Sequence, residues 1–279
     1  AGGAQDLAFS RDVADWLYAP TWSRAPRNRV AGLSGTWLIA GGAEALAEAL
    51  ARQVGDAGGR AVRIASPAEA EAAVAQARAA GQPVAGAFAL WGLQAHEGSD
   101  TEATQWLHHA PVALAAALAP TAREPVRVIL ATAGAHSVLG EAVARSAAAL
   151  AIGPVLALPL EMPGLRLRQL DLEATGAASA ESAAQGLLDE ALARDEEDMV
   201  ARRQGQRWLR RHERTALPAV GADALPLREG AVVLVTGGLG GMGLAAPGRA
   251  APRAPAAHRA HRAAAARRLG RLAGHARRR

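Results

Sequence analysis

Short apolar runs alternate with helical stretches along most of the chain, and glycine or proline separates them. The run from Gly35 to Gly42 is apolar and ends in glycines, and Leu46, Leu50 and Val54 then repeat at helical spacing. Further strands are predicted at 60–66, 83–93, 125–134 and 165–173, and further helices at 67–81, 101–120 and 181–197. This alternation predicts an α/β fold, with a parallel sheet covered by helices on both faces.

Five segments add detail to this pattern. Bulky and small residues alternate around two prolines at 17–26, which predicts an edge strand or an extended entry segment. Alternation of Leu with polar residues predicts a half-exposed strand at 165–173. Pro111 is expected to interrupt the helix at 101–120, and the polar stretch 199–218 predicts a hairpin around Gly205. A turn-rich linker then leads to the apolar run Ala231–Gly238, which predicts the start of a second α/β unit.

Composition excludes several classes of protein. There is no cysteine, so disulfides and thiolate metal sites are ruled out, and a reducing cytoplasm is the expected location. No stretch approaches the ~20 apolar residues of a membrane span, and the N-terminus lacks the order of a signal peptide. No membrane association is predicted.

The net charge of +5 comes from the C-terminal tail. From Ala245 onward there are ten arginines and no acidic residue, so residues 1–244 carry 21 basic and 26 acidic residues, a balance of −5. The tail is too poor in large apolar residues to form a core, and we expect disorder there, or a frayed Arg/Ala helix near the end. One hypothesis is that it is an out-of-frame reading of a GC-rich gene; another makes it a nucleic-acid-binding arm without sequence specificity.

The strongest chemical signal is the glycine-rich stretch from Val235 to Gly243. It follows an apolar strand, where glycines permit a tight turn and let backbone N–H groups approach a pyrophosphate. The corresponding turn of the first unit, at Gly41 and Gly42, lacks the later glycines, and Glu44 brings a negative charge towards any phosphate. We therefore expect a dinucleotide loop in the second unit and none in the first.

The chain resembles the ketoreductase region of type I polyketide synthases and the related fatty acid synthases, which are short-chain dehydrogenases. The resemblance rests on the order of elements and on four segments: 17–26, 153–173, 200–218 and 232–245. It implies a truncated Rossmann-like parallel sheet with helices on both faces, followed by the first β-α turn of a second Rossmann unit. The implied divisions are a structural, non-catalytic subdomain at 1–225, the start of the NADPH-binding catalytic subdomain at 226–245, and the tail at 246–279.

The resemblance also implies a chemistry. In this family NADPH reduces a β-keto thioester that is carried on an acyl carrier protein, so the partners would be that carrier and the other domains of a synthase. The cofactor contacts implied are Thr236, Gly237, Gly238, Leu239, Gly240, Gly241, Met242 and Gly243. The reaction needs a Tyr-x-x-x-Lys pair and a Ser.

This chain departs from the family at the catalytic residues. Its only tyrosine is Tyr18 and it has no lysine, so no catalytic residue is predicted in it. The enzyme assignment attaches to the parent reductase, of which this chain would be a fragment. The alternative function is a purely structural or docking module.

Histidines offer weaker candidates. Adjacent His108 and His109 lie on a predicted helix and point away from each other, so no metal site is predicted there or at His96 beside Glu97. A triad of Ser137, His136 and Asp171 can be written on paper, but no nucleophile elbow supports it.

Overall fold

A computed structural model of the chain describes residues 13–26, 31–94, 100–118, 125–174 and 179–216, together with Thr236. All of these except Thr236 belong to one compact unit, which ends at Leu217. The expected division near residue 225 lies outside the described residues and stays a prediction, as does the tail at 246–279.

Eight strands form one mixed sheet, and their order is β1-β8-β7-β6-β5-β4-β2-β3. The six strands from β2 to β7 are mutually parallel, while β8 is antiparallel to both of its neighbours, β7 and β1. The strands are β1 (Tyr18–Arg24), β2 (Thr36–Ala40), β3 (Arg60–Ile64), β4 (Val84–Ala89), β5 (Val126–Ala133), β6 (Leu165–Leu172), β7 (Met199–Arg203) and β8 (Gln206–Arg214). The predicted α/β parallel sheet is confirmed.

The predicted hairpin around Gly205 is confirmed as the β7-β8 turn. Gln204 and Gly205 both have positive φ, 53° and 70°, which is the backbone that a two-residue hairpin turn requires. The edge strand predicted at the entry is β1, which pairs along its full length with β8. The hairpin and β1 therefore extend the parallel sheet at one edge.

Helices cover both faces of the sheet. The helices are α1 (Glu44–Asp56), α2 (Ala70–Ala79), α3 (Asp100–Thr104), α4 (Ala110–Leu118), α5 (Ile152–Glu161) and α6 (Ala180–Ala191). Leu50 of α1 and Leu187 of α6 share one core cluster, while Val74 of α2, Leu114 of α4 and Val155 of α5 share the other. In the described part of the chain, no helix is long and apolar enough to cross a bilayer.

Two helical details differ from the sequence pattern. The helix predicted at 101–120 is interrupted just before Pro111. Gln105–His109 form a π-helical turn, and Pro111 is the second residue of α4. Proline has no N–H to offer the preceding turn, and a wider turn accommodates that loss. Helix α5 was not predicted, since it contains Pro154 and Pro159, residues that argue against a helix.

The connection from β6 through α6 to β7 has an unusual hand. The chain steps from β2 to β3 towards one edge of the sheet and from β6 to β7 towards the other, yet α1 and α6 pack together on the same face. The remaining helices of the parallel connections lie on the opposite face and agree with α1. Parallel connections are right-handed in about 98% of cases, so the α6 connection is the left-handed exception.

Strand β6 is buried, and the prediction that it is half-exposed was wrong. Its polar side chains Arg168, Gln169 and Asp171 are 4%, 0% and 0% exposed. Alternation with leucine marked them as a solvent face, but each has polar partners on other elements. Apart from the exposed Arg166, the polar positions of this strand belong to the interior.

Glu190 is the centre of a buried ionic cluster at the C-terminal end of α6. It is 1% exposed and accepts hydrogen bonds from Arg168 of β6 at 2.9 Å and from Arg207 of β8 at 2.8 and 2.9 Å. Asp195 accepts one more from each arginine, at 2.7 and 3.0 Å. Burial lowers the pKa of Arg207, but the hydrogen bonds and charge of Glu190 outweigh it and raise that pKa. The Arg207 guanidinium therefore stays charged in the interior.

We predict that Glu190→Gln lowers the free energy of unfolding by about 3–5 kcal/mol, because it leaves two buried guanidiniums short of a carboxylate. Urea unfolding followed by circular dichroism measures the change. Glu71→Gln, at an exposed position of α2, is the control and should change stability by less than about 0.5 kcal/mol. Equal effects of the two substitutions would contradict a structural role for the cluster.

Candidate functional site

The predicted cofactor loop falls almost wholly outside the described residues. Thr236 is an exposed turn residue. The other seven residues lie outside the described part: Gly237, Gly238, Leu239, Gly240, Gly241, Met242 and Gly243. Their contact with a cofactor stays a prediction.

Tyr18 does not stand in a catalytic setting. It is the first residue of β1, at the edge of the sheet, and 52% of its surface is exposed. Because the sequence has no lysine, no side-chain ammonium group exists to lower the pKa of a tyrosine for proton transfer. The Tyr-x-x-x-Lys chemistry is absent from this chain.

The place where a first nucleotide would bind is filled by an indole ring. In an open parallel sheet, ligands bind beyond the carboxyl ends of the two strands where the order reverses, which here are β2 and β4. Gly41 follows β2 with φ of 69°, and a Cβ added to it would lie 2.4 Å from Trp91, which follows β4. A Cβ on Gly42 would lie 2.7 Å from Leu90. Leu90 and Trp91 are 0% and 1% exposed, so these side chains occupy the crevice.

A negative charge at the N-terminal end of α1 also opposes the binding of a phosphate. Glu44 is the first residue of the helix, where backbone N–H groups would otherwise receive an anion. Its carboxylate accepts hydrogen bonds of 2.6 and 2.5 Å from Arg63, which lower the pKa of Glu44 and keep it ionised. The helix end therefore already holds an anion, and this anion is part of the chain.

A buried polar cluster lies where β5 and β6 end, centred on Asp171. One carboxylate oxygen accepts from the hydroxyl of Thr132 at 2.8 Å and from the Ala135 N–H at 3.0 Å. The other accepts from the His136 N–H at 3.2 Å and from Arg203 at 2.7 Å. Four donors satisfy the carboxylate, so Asp171 has no free lone pair to act as a base and instead fixes the loop that follows β5.

The structure brings His136 and Asp171 together but does not form the triad. Asp171 bonds the backbone of His136, while the ring Nε2 of His136 pairs with Gln169 Oε1 at 2.9 Å. The ring also lies beside Trp22, with centroids 5.3 Å apart, and Ser137 is exposed. The cluster is structural, and no nucleophile is activated by it.

Arg203 of β7 also donates hydrogen bonds to the loop that follows β5. It donates to Glu141 at 2.6 Å and to the backbone carbonyls of His136 and Asp171 at 2.9 and 3.0 Å. Partial burial raises the pKa of Glu141, but Arg203 and the Leu139 N–H outweigh it and lower the pKa to about 2. Sequence reasoning paired His136 with Asp171 only as part of a triad and missed Arg203, because His136, Asp171 and Arg203 are each more than 30 residues apart.

The remaining candidates give no site. The prediction that His108 and His109 point away from each other was wrong, because their rings meet edge to face with centroids 5.3 Å apart. No group of three potential metal ligands occurs among the described residues. An open groove at the hairpin turn is lined by Arg24 and Arg207, but Arg24 bonds Gln206 at 2.6 Å and Arg207 belongs to the buried cluster. His96 and Glu97 lie outside the described residues.

No protein-family model matches the chain, and no curated protein matches it. Its fold is nevertheless similar to solved ketoreductases. A C2-type ketoreductase from a modular polyketide synthase superposes with a TM-score of 0.54 at 26% identity, over 74% of this chain and 44% of that one. The first ketoreductase of the tylosin polyketide synthase gives 0.54 at 24% identity, over 73% and 42%.

A keto acid-selecting module of a nonribosomal peptide synthetase, solved with adenylation, ketoreductase and pseudo-Asub domains, gives a TM-score of 0.61 at 19% identity. The match covers 72% of this chain and 18% of that one. The chain thus resembles ketoreductase domains of modular synthases and spans less than half the length of each structure. The expected α/β, Rossmann-like fold is confirmed by these neighbours and by the sheet.

We predict that Gly41→Ala is more destabilising than Gly81→Ala. Both residues have similar φ, 69° and 67°, so each substitution incurs the same cost of about 1–2 kcal/mol. Nothing lies within 4 Å of a Cβ on Gly81, whereas one on Gly41 meets Trp91, which adds about 1–3 kcal/mol. Chemical denaturation compares the two variants, and equal losses would show that Trp91 does not fill the crevice.

The low pKa of Glu141 predicts an acid dependence. A carboxylate with a lowered folded-state pKa contributes stability that is present above its unfolded value of 4.5 and is lost as pH falls through about 2. The difference in unfolding free energy between wild type and Glu141→Gln should therefore shrink from about pH 6 to about pH 2. Denaturation across this range measures it, with Glu71→Gln as the single-charge control. A constant difference would contradict the pairing with Arg203.

Proposed function

We propose that residues 1–225 form the non-catalytic structural half of a ketoreductase, in a modular polyketide synthase or a related fatty acid synthase. The observation that carries this proposal is a ketoreductase-like sheet whose own nucleotide crevice is filled by Leu90 and Trp91. A half that keeps the fold but fills the crevice has no use for a cofactor of its own. Its role is to support another half that binds one.

The sequence after this half supplies the start of the cofactor site. In the proposal, the strand at 231–235 leads into the loop Thr236 to Gly243, whose backbone N–H groups would receive the phosphates of NADPH. The parent enzyme would use that NADPH to reduce a β-keto thioester on an acyl carrier protein. Since this chain has no lysine, hydride transfer in the parent depends on residues that this chain does not contain.

The polar clusters favour support over catalysis. Asp171 and Glu190 are buried and fully engaged by hydrogen-bond donors, and neither faces a cleft. Buried charges of this kind hold strands and helices in fixed positions. The proposed cytoplasmic location and synthase partners follow from the same assignment.

A complementation assay tests the proposal. The full chain alone should not oxidise NADPH in the presence of a β-keto thioester. Mixed with a separately produced cofactor-binding half of a modular ketoreductase, it should raise that half's rate by at least ~10-fold, because binding stabilises the folded partner. NADPH absorbance follows the reaction. Serum albumin at the same concentration is the control, and a rate that the chain raises no more than albumin does would overturn the proposal.

A further inference from the structure

One face of the paired strands β1 and β8 combines aromatic rings with arginines. Side chains alternate between the two faces of a strand, and directly opposite residues of an antiparallel pair share a face. On one face, each tyrosine or tryptophan of either strand lies opposite an arginine, and neither strand contributes Asp or Glu. This ribbon face consists of Tyr18 opposite Arg214, Pro20 opposite His212, Trp22 opposite Arg210, and Arg24 opposite Trp208.

Solvent reaches the ribbon face. Tyr18 has 52% of its surface exposed, and Trp22 is half-buried because its ring lies beside that of His136. Arg214 is exposed and forms an ion pair with the exposed Asp15 at 3.4 Å. The other exposed members are Pro20, Arg24 and His212. Rings and guanidiniums are therefore both available to a partner.

The opposite face of β8 treats its arginines differently. Arg207 binds the carboxylate of Glu190 at 2.8 and 2.9 Å, and Arg211 binds that of Glu197 at 2.6 and 2.8 Å. These two arginines alternate along β8 with members of the ribbon face. One face of the strand therefore has its positive charge matched by acidic residues of the chain itself.

Two arginines of the ribbon face have only neutral partners among the described residues. Arg24 donates to the side-chain carbonyl of Gln206 at 2.6 Å, and Arg210 donates to the thioether sulfur of Met199 at 3.0 Å, which is a weak acceptor. Neither partner compensates a positive charge. The ribbon face thus offers two guanidiniums to a carboxylate from outside the chain.

The free edge of β1 is a poor place for a partner to add a strand. The Ala25 N–H donates to the Arg207 carbonyl and the Thr215 N–H to the Leu17 carbonyl, so the odd-numbered residues of β1 bond to β8. Pro20, at an even position, turns its backbone to the open edge and has no N–H to offer there. A partner would therefore meet the face of the ribbon rather than its edge.

We propose that the ribbon face is the docking site for an acidic, amphipathic segment of another protein. Carboxylates of that segment pair with Arg24 and Arg210, and its apolar side chains pack on Tyr18 and Trp22. The planar guanidinium matches a carboxylate in two parallel hydrogen bonds, and Tyr, Trp and Arg are the residues that contribute most energy to protein contacts.

Charge favours a protein segment over a nucleic acid as the occupant. Residues 1–244 carry a balance of −5, so the ribbon face is a local positive patch on a negative body. Such a body repels a continuous polyanion more strongly than a segment with a few carboxylates. The docking site does not depend on the proposed function, because neither a cofactor nor a reductase half takes part.

Photo-crosslinking of the full chain to a synthetic peptide locates the contact. The peptide is an amphipathic helix of glutamate, leucine and alanine that carries a benzophenone and a fluorophore. Crosslinks should map to 18–24 and 206–214. Peptides with glutamine in place of glutamate, or with serine in place of leucine, should bind at least ~10-fold more weakly, because each loses one half of the complementarity.

Fluorescence anisotropy of the acidic peptide then compares variants of the full chain. Arg24→Gln combined with Arg210→Gln should weaken binding by at least ~10-fold, because two charged contacts are lost. Arg60→Gln is the matched control and should leave binding unchanged, since Arg60 is exposed at the opposite edge of the sheet and also donates to a glutamine, Gln82, at 2.8 Å. Tyr18→Ser should weaken binding by at least ~3-fold, and Tyr18→Phe should retain it.

Thermal melting confirms that each variant is folded, and the other outcomes overturn the docking site. These are absence of binding by the wild type, equal binding by the double arginine variant, and crosslinks confined to the arginine-rich segment 245–279. A single-stranded oligonucleotide that crosslinks to β1 and β8 and binds more tightly than the peptide would assign the face to nucleic acid and equally overturn the proposal.

Discussion

The position of one carboxylate, Glu190, determines how the edge of this sheet is built. It accepts from Arg168 and Arg207 in the interior, and those arginines come from β6 and β8. Arg127 of β5 donates to the carbonyl of Ala191, the last residue of α6, and to that of Ala193 just beyond it, and so holds the same helix end from a third strand. Helix α6 is thereby fixed on the α1 face, which is the face that makes its connection left-handed.

Buried ion pairs specify the arrangement of strands and helices in this protein, a role that large side chains have in many cores. Aromatic residues make up 3% of the chain, and much of the core is alanine and leucine, whose packing distinguishes weakly between neighbouring arrangements. A buried guanidinium tolerates only an arrangement that brings it a carboxylate. Arg168 and Arg203 project to opposite faces of the sheet and each meets its own acidic partners, so the register of β6 and β7 is specified from both sides.

The elements that the sequence predicted are those whose signals are local. Leu46, Leu50 and Val54 mark α1, and Gly205 marks the hairpin, because periodicity and turn chemistry act over a few residues. The buried state of β6 could not be predicted in the same way, since Arg168 meets Glu190 and Asp195 only after folding. Helix α5 was hidden by its prolines, and the handedness of the α6 connection has no local signal.

Some features of the candidate site also have a local signal in the sequence, and others depend on residues that are distant in the chain. Glu44 was recognisable as unfavourable for phosphate from its place in the turn, but the residue that fills the crevice, Trp91, lies about 50 residues further on. In the polar cluster around Asp171, the sequence paired His136 with Asp171 only as part of a triad, and the partners Gln169 and Arg203 were missed, because His136, Gln169 and Arg203 come from three different segments.

The indole of Trp91 gives this fold a stability that does not vary with metabolism. A domain whose crevice holds a dissociable nucleotide gains stability in proportion to the logarithm of ligand concentration and loses it when the ligand is scarce. A side chain attached to the same polypeptide is present at a high and constant effective concentration. The filled crevice therefore acts as a permanently saturated site, and the fold would keep its shape whatever the supply of nucleotide.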